Sequence, residues 1–182
     1  MKSDIPRQTI LAAFQAGITA IDTATYYTTS QEIIGKALDQ IRDEYPRSSY
    51  KILTKAGRFG KEKGKGFDYS PEAIRKHVEN SLRLLKTDYL DNLYLHDPEF
   101  VSEQVGNAGQ DDCRETDAEG QVTDDMLKGW GLATGDEGKT VGQGDQTVLD
   151  AMKTCIELKK EGKIRNYGIA GDLVRSHWEK CY

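Results

Sequence analysis

Apolar segments of two kinds alternate along this chain, and that alternation limits the fold more than any other feature. Short runs at residues 18–21, 50–55, 89–96 and 164–169 have the length of strands. Between them lie stretches with helical spacing. Ile10, Leu11 and Phe14 mark a first helix, stopped at Gly17. Ser30 reads as the cap of a second helix that turns Ile33, Ile34, Ala37, Leu38 and Ile41 inward. Ser70-Pro71-Glu72 supplies a capping residue, a proline at the first position and an early acid, and Ile74, Val78, Leu82 and Leu85 form the stripe that follows. Val148, Leu149, Met152, Ile156 and Leu158 define a further helix ended by Gly162, and Asp172 begins a last one containing Val174 and Trp178. Parallel neighbours need crossover helices, so this order predicts a parallel α/β sheet.

Residues 100–147 interrupt the pattern. They are rich in Gly, Asp, Glu, Gln and Thr, and their apolar residues keep no period, which predicts a flexible, solvated insertion. It opens from the strand ending at His96, so it is placed to lie across whatever site forms there. Its acidic residues lack the spacing of a calcium loop, and "GDEGKT" lacks both the full spacing and the preceding strand of a phosphate loop.

With 182 residues, 37% of them hydrophobic, the chain can bury one sizeable core, and a single domain over residues 1–182 is expected. A net charge of −5 argues against a general nucleic-acid or anionic-membrane binder, both of which use basic surfaces. No apolar run is long enough to span a bilayer, and residues 1–7 lack the apolar core of a signal peptide. Cys113, Cys155 and Cys181 are few, odd in number, widely spaced and without metal-ligand spacing. They fit a reducing, cytoplasmic setting better than a disulfide framework.

The chemistry concentrates where strands end. "GITAIDTATYY" closes an apolar run with Asp22, and a carboxylate at the end of a buried strand is costly unless it is paired. Two further strands end in Lys55 and His96, and Tyr27 lies just beyond the first. In parallel α/β folds, ligands bind at the C-terminal strand ends. Each residue has a plainer reading by itself: Asp22 as a turn cap, Lys55 as a surface residue, His96 as a core histidine. Tyr26 competes with Tyr27 as the phenol of the group. His77 and His177 fall within helical patterns without partners and read as structural or exposed.

As an ordered set, "DTATYY", "LTKAGR" and "YLHDPE", supported by "IGKAL", "SLRLLKTDYLDNLYLH" and "LKKEGKIRNYGIAG", resembles the aldo-keto reductases. Members of that family carry Asp followed five residues later by Tyr, then Lys and His at the ends of the next two strands, which selects Tyr27 over Tyr26. "YY", "TKAGR", "LHDPEF" and "GIAG" point to the D-arabinose and L-galactose dehydrogenase branch. Thr28 and Gln31 stand where the family commonly has Gly and Glu, and Ala170-Gly171 stands where it commonly has Ser-Asn against the nicotinamide.

The resemblance implies a (β/α)8 TIM-barrel type fold of which this chain carries about the second to fifth strands with their helices. It implies Asp22, Tyr27, Lys55 and His96 as catalytic residues, and Asp22, Ala170 and Gly171 as cofactor-binding ones. NADP or NAD is the implied cofactor, and a small-molecule aldose or aldehyde the substrate. A carbonyl reduction needs a hydride, which only the cofactor supplies, and a proton donor at the developing alkoxide. A phenol is a weak acid at neutral pH unless a neighbouring cation assists it. Lys55 would give Tyr27 that help, Asp22 would orient Lys55, and His96 would hydrogen-bond the carbonyl oxygen. A chain of this extent is expected to turn over weakly or not at all alone, and its open sheet edges favour self-association. Two other readings stand beside this one: a Schiff-base aldolase using Lys55 as nucleophile, and a degenerate partial barrel that acts by binding a protein partner.

Overall fold

The structure, a computed structural model, describes residues 4–60, 66–101, 121, 123–125 and 142–171. Helix α1 (Ile5–Gln15) leads into strand β1 (Ala20–Asp22), α2 (Ser30–Gln40) and β2 (Lys51–Ala56). Then come α3 (Pro71–Leu85), β3 (Leu90–His96), α4 (Gln143–Lys160) and β4 (Ile164–Ala170). The four strands form one parallel sheet in the order β1-β2-β3-β4. Each strand is laid beside the one before it, with no reversal of order. That winding is the one a (β/α)8 barrel requires, whereas a doubly wound sheet reverses at a switch point.

The core lies on the helix-covered side of the sheet. Ile52, Leu93 and Leu95 pack with Leu38, Ile74, Val78, Leu85, Ala151 and Leu158 there, all essentially excluded from water. The start of α3 behaves as its sequence predicts: the Ser70 hydroxyl accepts from the Ala73 N–H at 3.2 Å, with Pro71 in the first turn. Gly35 lets α2 approach the last turn of α3, where an added Cβ would overlap the Leu84 carbonyl oxygen.

Several expectations need correction. Residues 18–21 are not a buried strand: β1 is three residues long, begins at Ala20, and leaves Ile18 62% exposed. Among the described residues β1 pairs on one side only, with β2, so it is an edge strand. The second helix is capped at Thr29 rather than Ser30, and the Ser30 hydroxyl instead meets that of Thr23 at 3.0 Å. Ile33, Leu149 and Ile156 face solvent. In α4 the buried stripe is Val148, Ala151, Thr154, Cys155 and Leu158, an i, i+3, i+4 pattern built partly from small residues, which a reading weighted towards large aliphatics misphases. That helix also starts at Gln143, inside the stretch expected to be loop. The expected helix after Asp172, His177, Cys113, Cys181 and most of the 100–147 insertion lie outside the described residues.

At the N-terminal ends of the strands a buried carboxylate holds the sheet together. Asp91, with its side chain 5% exposed, accepts from Arg47 at 2.6 Å and from the Ile52 N–H at 3.0 Å, and pairs with Lys51 and Arg165 at 3.3 and 3.4 Å. Burial alone would push this carboxyl up, but the Ile52 N–H and Arg47 outweigh it and hold the group below its usual range. Tyr89 is sandwiched between the guanidinium groups of Arg47 and Arg165, at 3.9 and 3.8 Å from its ring centre.

Candidate active site at the C-terminal strand ends

The opposite ends of the same strands carry the predicted residues. The parallel register sets Asp22 beside Leu53, Lys55 beside Tyr94 and His96 beside Ala170. Because alternate residues share a face, Asp22, Lys55, His96 and Ala170 all lie on the side of the sheet opposite the helix-packed core. Tyr27 enters from the tight turn after β1, where the Tyr27 N–H donates to the Ala24 carbonyl at 3.1 Å.

Lys55 is the hub. Its Nζ pairs with Asp22 Oδ1 and lies 3.3 Å from the Tyr27 hydroxyl and 3.2 Å from the Thr23 carbonyl oxygen. The cost of burial falls on Lys55, whose side chain is 11% exposed, and not on Asp22, which is 51% exposed. This reverses the expectation that Asp22 is the buried partner, and the short edge strand is the reason. Burial by itself would lower the Lys55 ammonium's pKa; hydrogen bonds to Asp22 and Tyr27 overcome it and leave the group raised, so Lys55 stays charged at neutral pH.

His96 faces Tyr27 edge-on, with ring centres 5.8 Å apart and planes at 90°. Tyr26 lies at a similar distance, 6.0 Å, so both tyrosines flank the imidazole. Only Tyr27 reaches Lys55; the Tyr26 hydroxyl instead accepts from Arg58 at 3.3 Å. Burial holds His96 below its usual pKa, helped by Lys55 and Arg58 and opposed by Asp97 and Asp22, so the ring is neutral at pH 7. The buried Tyr69 phenol donates to the His96 carbonyl oxygen and anchors the end of β3.

A cavity of about 420 Å³ opens here, lined by Tyr26, Tyr27, Lys55, Arg58, His96, Asp97, Ala170 and Gly171. Its volume falls within the range of small-molecule sites. A larger cleft, about 690 Å³, runs along α3, but its charged groups, Asp68, Lys76, Glu79 and Arg83, are all solvent-exposed. Convergent chemistry, rather than size, marks the candidate site. His77, beside that cleft, is structural: its Nδ1 accepts the Gly57 N–H at 3.1 Å. Gly57 sits at φ 102°, and a Cβ there would overlap the Tyr69 ring, so glycine is required.

The two departures beside Tyr27 have different meanings. Thr28 adopts φ 49°, a left-handed conformation that a β-branched residue rarely takes and that explains a preference for glycine at this position. Gln31 is buried in the helix layer, donating to Thr54 Oγ1 at 2.8 Å and Ser81 Oγ at 2.9 Å. It ties α2 to β2 and α3 and does not line the cavity. Sequence reasoning assigned no role to Arg58 or Asp97, although each follows a strand-end candidate, three residues past Lys55 and one past His96.

The chain matches known proteins along nearly its whole length. The model of the Aldo/keto reductase family matches residues 4–179. D-arabinose 1-dehydrogenase of Saccharomyces cerevisiae is 34% identical over 168 residues, covering 92% of this chain and 37% of that protein. L-galactose dehydrogenase of Arabidopsis thaliana is 33% identical over 165 residues, covering 90% of this chain and again 37% of the relative. The chain therefore spans well under half the length of either relative. An aldo-keto reductase from Bacillus halodurans, solved in its holo form, superposes with a TM-score of 0.55 at 26% identity, over 91% of this chain and 40% of that one.

Proposed function

The chain belongs to the aldo/keto reductase family, and from that premise we propose that it carries the reacting end of an NAD(P)-dependent oxidoreductase that interconverts a sugar or aldehyde carbonyl and the corresponding alcohol. One observation carries this reading: Lys55 Nζ engages Asp22 and, at 3.3 Å, the Tyr27 hydroxyl, with His96 across the same cavity. These side chains include a proton donor and a group to bind the oxygen, but no hydride source. A nicotinamide, when bound, supplies the hydride.

Everything else falls to the protein. Tyr27 Oη gives its proton to the carbonyl oxygen as negative charge grows there. The Lys55 ammonium stabilises the phenolate left behind, and Asp22 keeps that ammonium charged and aimed. His96 Nε2–H donates to the same oxygen and sets its orientation. In the oxidative direction the Tyr27 phenolate takes the proton from the alcohol. The residues fit the reacting end of a nicotinamide: Ala170 and Gly171 give the cavity a wall without bulky side chains, next to His96 on the neighbouring strand. Ala170 and Gly171 in that wall, and Asp22 by the family resemblance and through its pairing with Lys55, are assigned to hold that end, in NAD or NADP. The names of the two dehydrogenase relatives support a sugar such as D-arabinose or L-galactose as substrate.

A charged Lys55 speaks against the Schiff-base alternative, which requires the free amine. The test is a fluorescence titration with NADH and NADPH, followed by assays on D-arabinose, L-galactose and simple aldehydes. Nucleotide binding is expected, with at most weak turnover by the chain alone, and that turnover falls by roughly 10²-fold or more in Tyr27→Phe. Failure of both nucleotides to bind at millimolar concentration would overturn the proposal in favour of a non-catalytic partial barrel. Borohydride trapping of a substrate on Lys55 would overturn it in favour of an aldolase.

A further inference from the structure

The acid–base reading leaves a buried ion pair at the cavity rim without a role. The Arg58 guanidinium lies 4.0 Å from the Tyr26 ring centre, with Phe67 and Phe100 at 5.5 and 5.6 Å. Its NH1 pairs with Asp97 Oδ2, and the two side chains are 12% and 15% exposed. That same Oδ2 is 3.7 Å from His96 Nε2, too far for a hydrogen bond and near enough to become one after a small movement. On the other side of the ring, His96 Nδ1 is buried with no hydrogen-bond partner among the described residues.

Asp97 is held where it stands. Its backbone takes the left-handed conformation, φ 56° and ψ 55°, and its N–H donates to the Ala170 carbonyl at 2.7 Å. Aspartate tolerates that region better than most residues but still at a cost, and such strain persists only where the surroundings enforce it. A carboxylate beside an imidazole ordinarily captures the nearer N–H and favours the charged ring. A ring bound in that way cannot donate to a substrate. Here the oxygen that would capture Nε2–H is already occupied by a guanidinium.

We propose that Asp97 and Arg58 are positioning residues for His96: Asp97 selects the Nε2–H tautomer, and Arg58, by holding the same Oδ2, keeps that N–H available to an oxygen in the cavity. The use made of the available N–H rests on the oxidoreductase reading; the arrangement itself does not. The other groups facing the ring are Asp22 from β1, Lys55 from β2, Tyr26 and Tyr27 from the turn after β1, and Tyr69, bound to the His96 carbonyl. Asp22 is partnered by Lys55, which leaves Asp97 as the carboxylate whose hold on His96 depends on Arg58.

The test is an NMR titration of the imidazoles in the intact chain without cofactor, with His96 identified among the three histidines by His96→Asn. In the unmodified protein His96 is expected to titrate below 6.5 as the Nε2–H tautomer. Arg58→Gln should raise its midpoint by about one pH unit or more, and adding Asp97→Asn should bring it back down. An unchanged midpoint in Arg58→Gln overturns the proposal. So does a rise that survives Asp97→Asn, because Arg58 would then act through its charge alone. If Arg58→Gln does not fold, Asp97→Asn alone decides: a mixed tautomer supports the proposal, and a pure Nε2–H ring overturns it. No nucleotide is present, so failed cofactor binding leaves this result standing, and the reverse also holds.

Discussion

Each end of the sheet buries a charge, and the two ends treat it differently. At the N-terminal ends Asp91 meets three cations and a backbone N–H, and Tyr89 locks two of those cations in place. At the C-terminal ends Lys55 is as well buried but relies on a half-exposed carboxylate, one carbonyl and an exposed phenol. Beside it, His96 Nδ1 is without a partner among the described residues, and Thr28 and Asp97 hold left-handed backbones. A fully answered buried charge stabilises; a partly answered one leaves bonding capacity for something else. The contrast matches the division of labour in barrels, with chemistry at the C-terminal face and stability at the other.

The comparison can be broken most directly at its stable end. Asp91→Ala strands Arg47 and the Ile52 N–H together, and about 3 kcal/mol of stability should be lost in urea unfolding at unchanged m. A loss below about 1 kcal/mol would mean the clamp is ornamental. Lys55→Met is the matching change at the other end. It replaces a buried charge with an apolar chain of similar length, and its former partners Asp22 and Tyr27 can be hydrated. Stability should move by no more than about 1 kcal/mol in either direction while turnover disappears. A cost equal to that of Asp91→Ala would erase the distinction between the ends.

Thr28→Gly sharpens the comparison by relieving strain near the site. It should stabilise the chain by about 1 kcal/mol, less whatever the greater freedom of glycine costs in the unfolded state. The smallest effect is that of pH. Burial lowers the pKa of His96 and His77, so both are neutral in the fold, while the same rings in the unfolded chain protonate near 6.5. Protons then favour the unfolded state, and the urea midpoint should fall as pH drops from about 7 to 5. Asp91, whose pKa is lowered, contributes in full above its ordinary 3.8 and loses its contribution as pH falls below that value and through the lower one it has in the fold. A midpoint that is flat from pH 7 to 5 and falls only near pH 4 would assign the acid response to the wrong end.

Much of this was readable beforehand, for particular physical reasons. Ser70-Pro71-Glu72 announced α3 because capping is local, and Ile74, Val78 and Leu85 showed its inner face because helical period is local too. Asp22, Lys55 and His96 could be picked out as strand-end residues, with Tyr27 just beyond the first; the structure brings Tyr27, Lys55 and His96 to one cavity with Ala170 and Gly171, and Asp22 reaches it through its pairing with Lys55. Ile18 and the stripe of α4 were misread, because exposure at a sheet edge and the phase of a helix depend on neighbours far away in the chain. Arg58 and Asp97 stood inside the quoted motifs without a role, 39 residues apart, with nothing local to pair them.

By itself, then, the sequence determined the parallel α/β order, the family resemblance and the residues that converge at the strand ends. The order and the strand-end positions follow from spacing, which covalent geometry converts directly into faces and ends; the choice of Tyr27 over Tyr26 follows from the resemblance. Only the tertiary structure decided that Lys55 bears the burial, that Asp91 braces the opposite end, and that one oxygen of Asp97 stands between Arg58 and His96. Those outcomes depend on which side chains meet across strands and on how much water remains, and spacing along a chain carries neither.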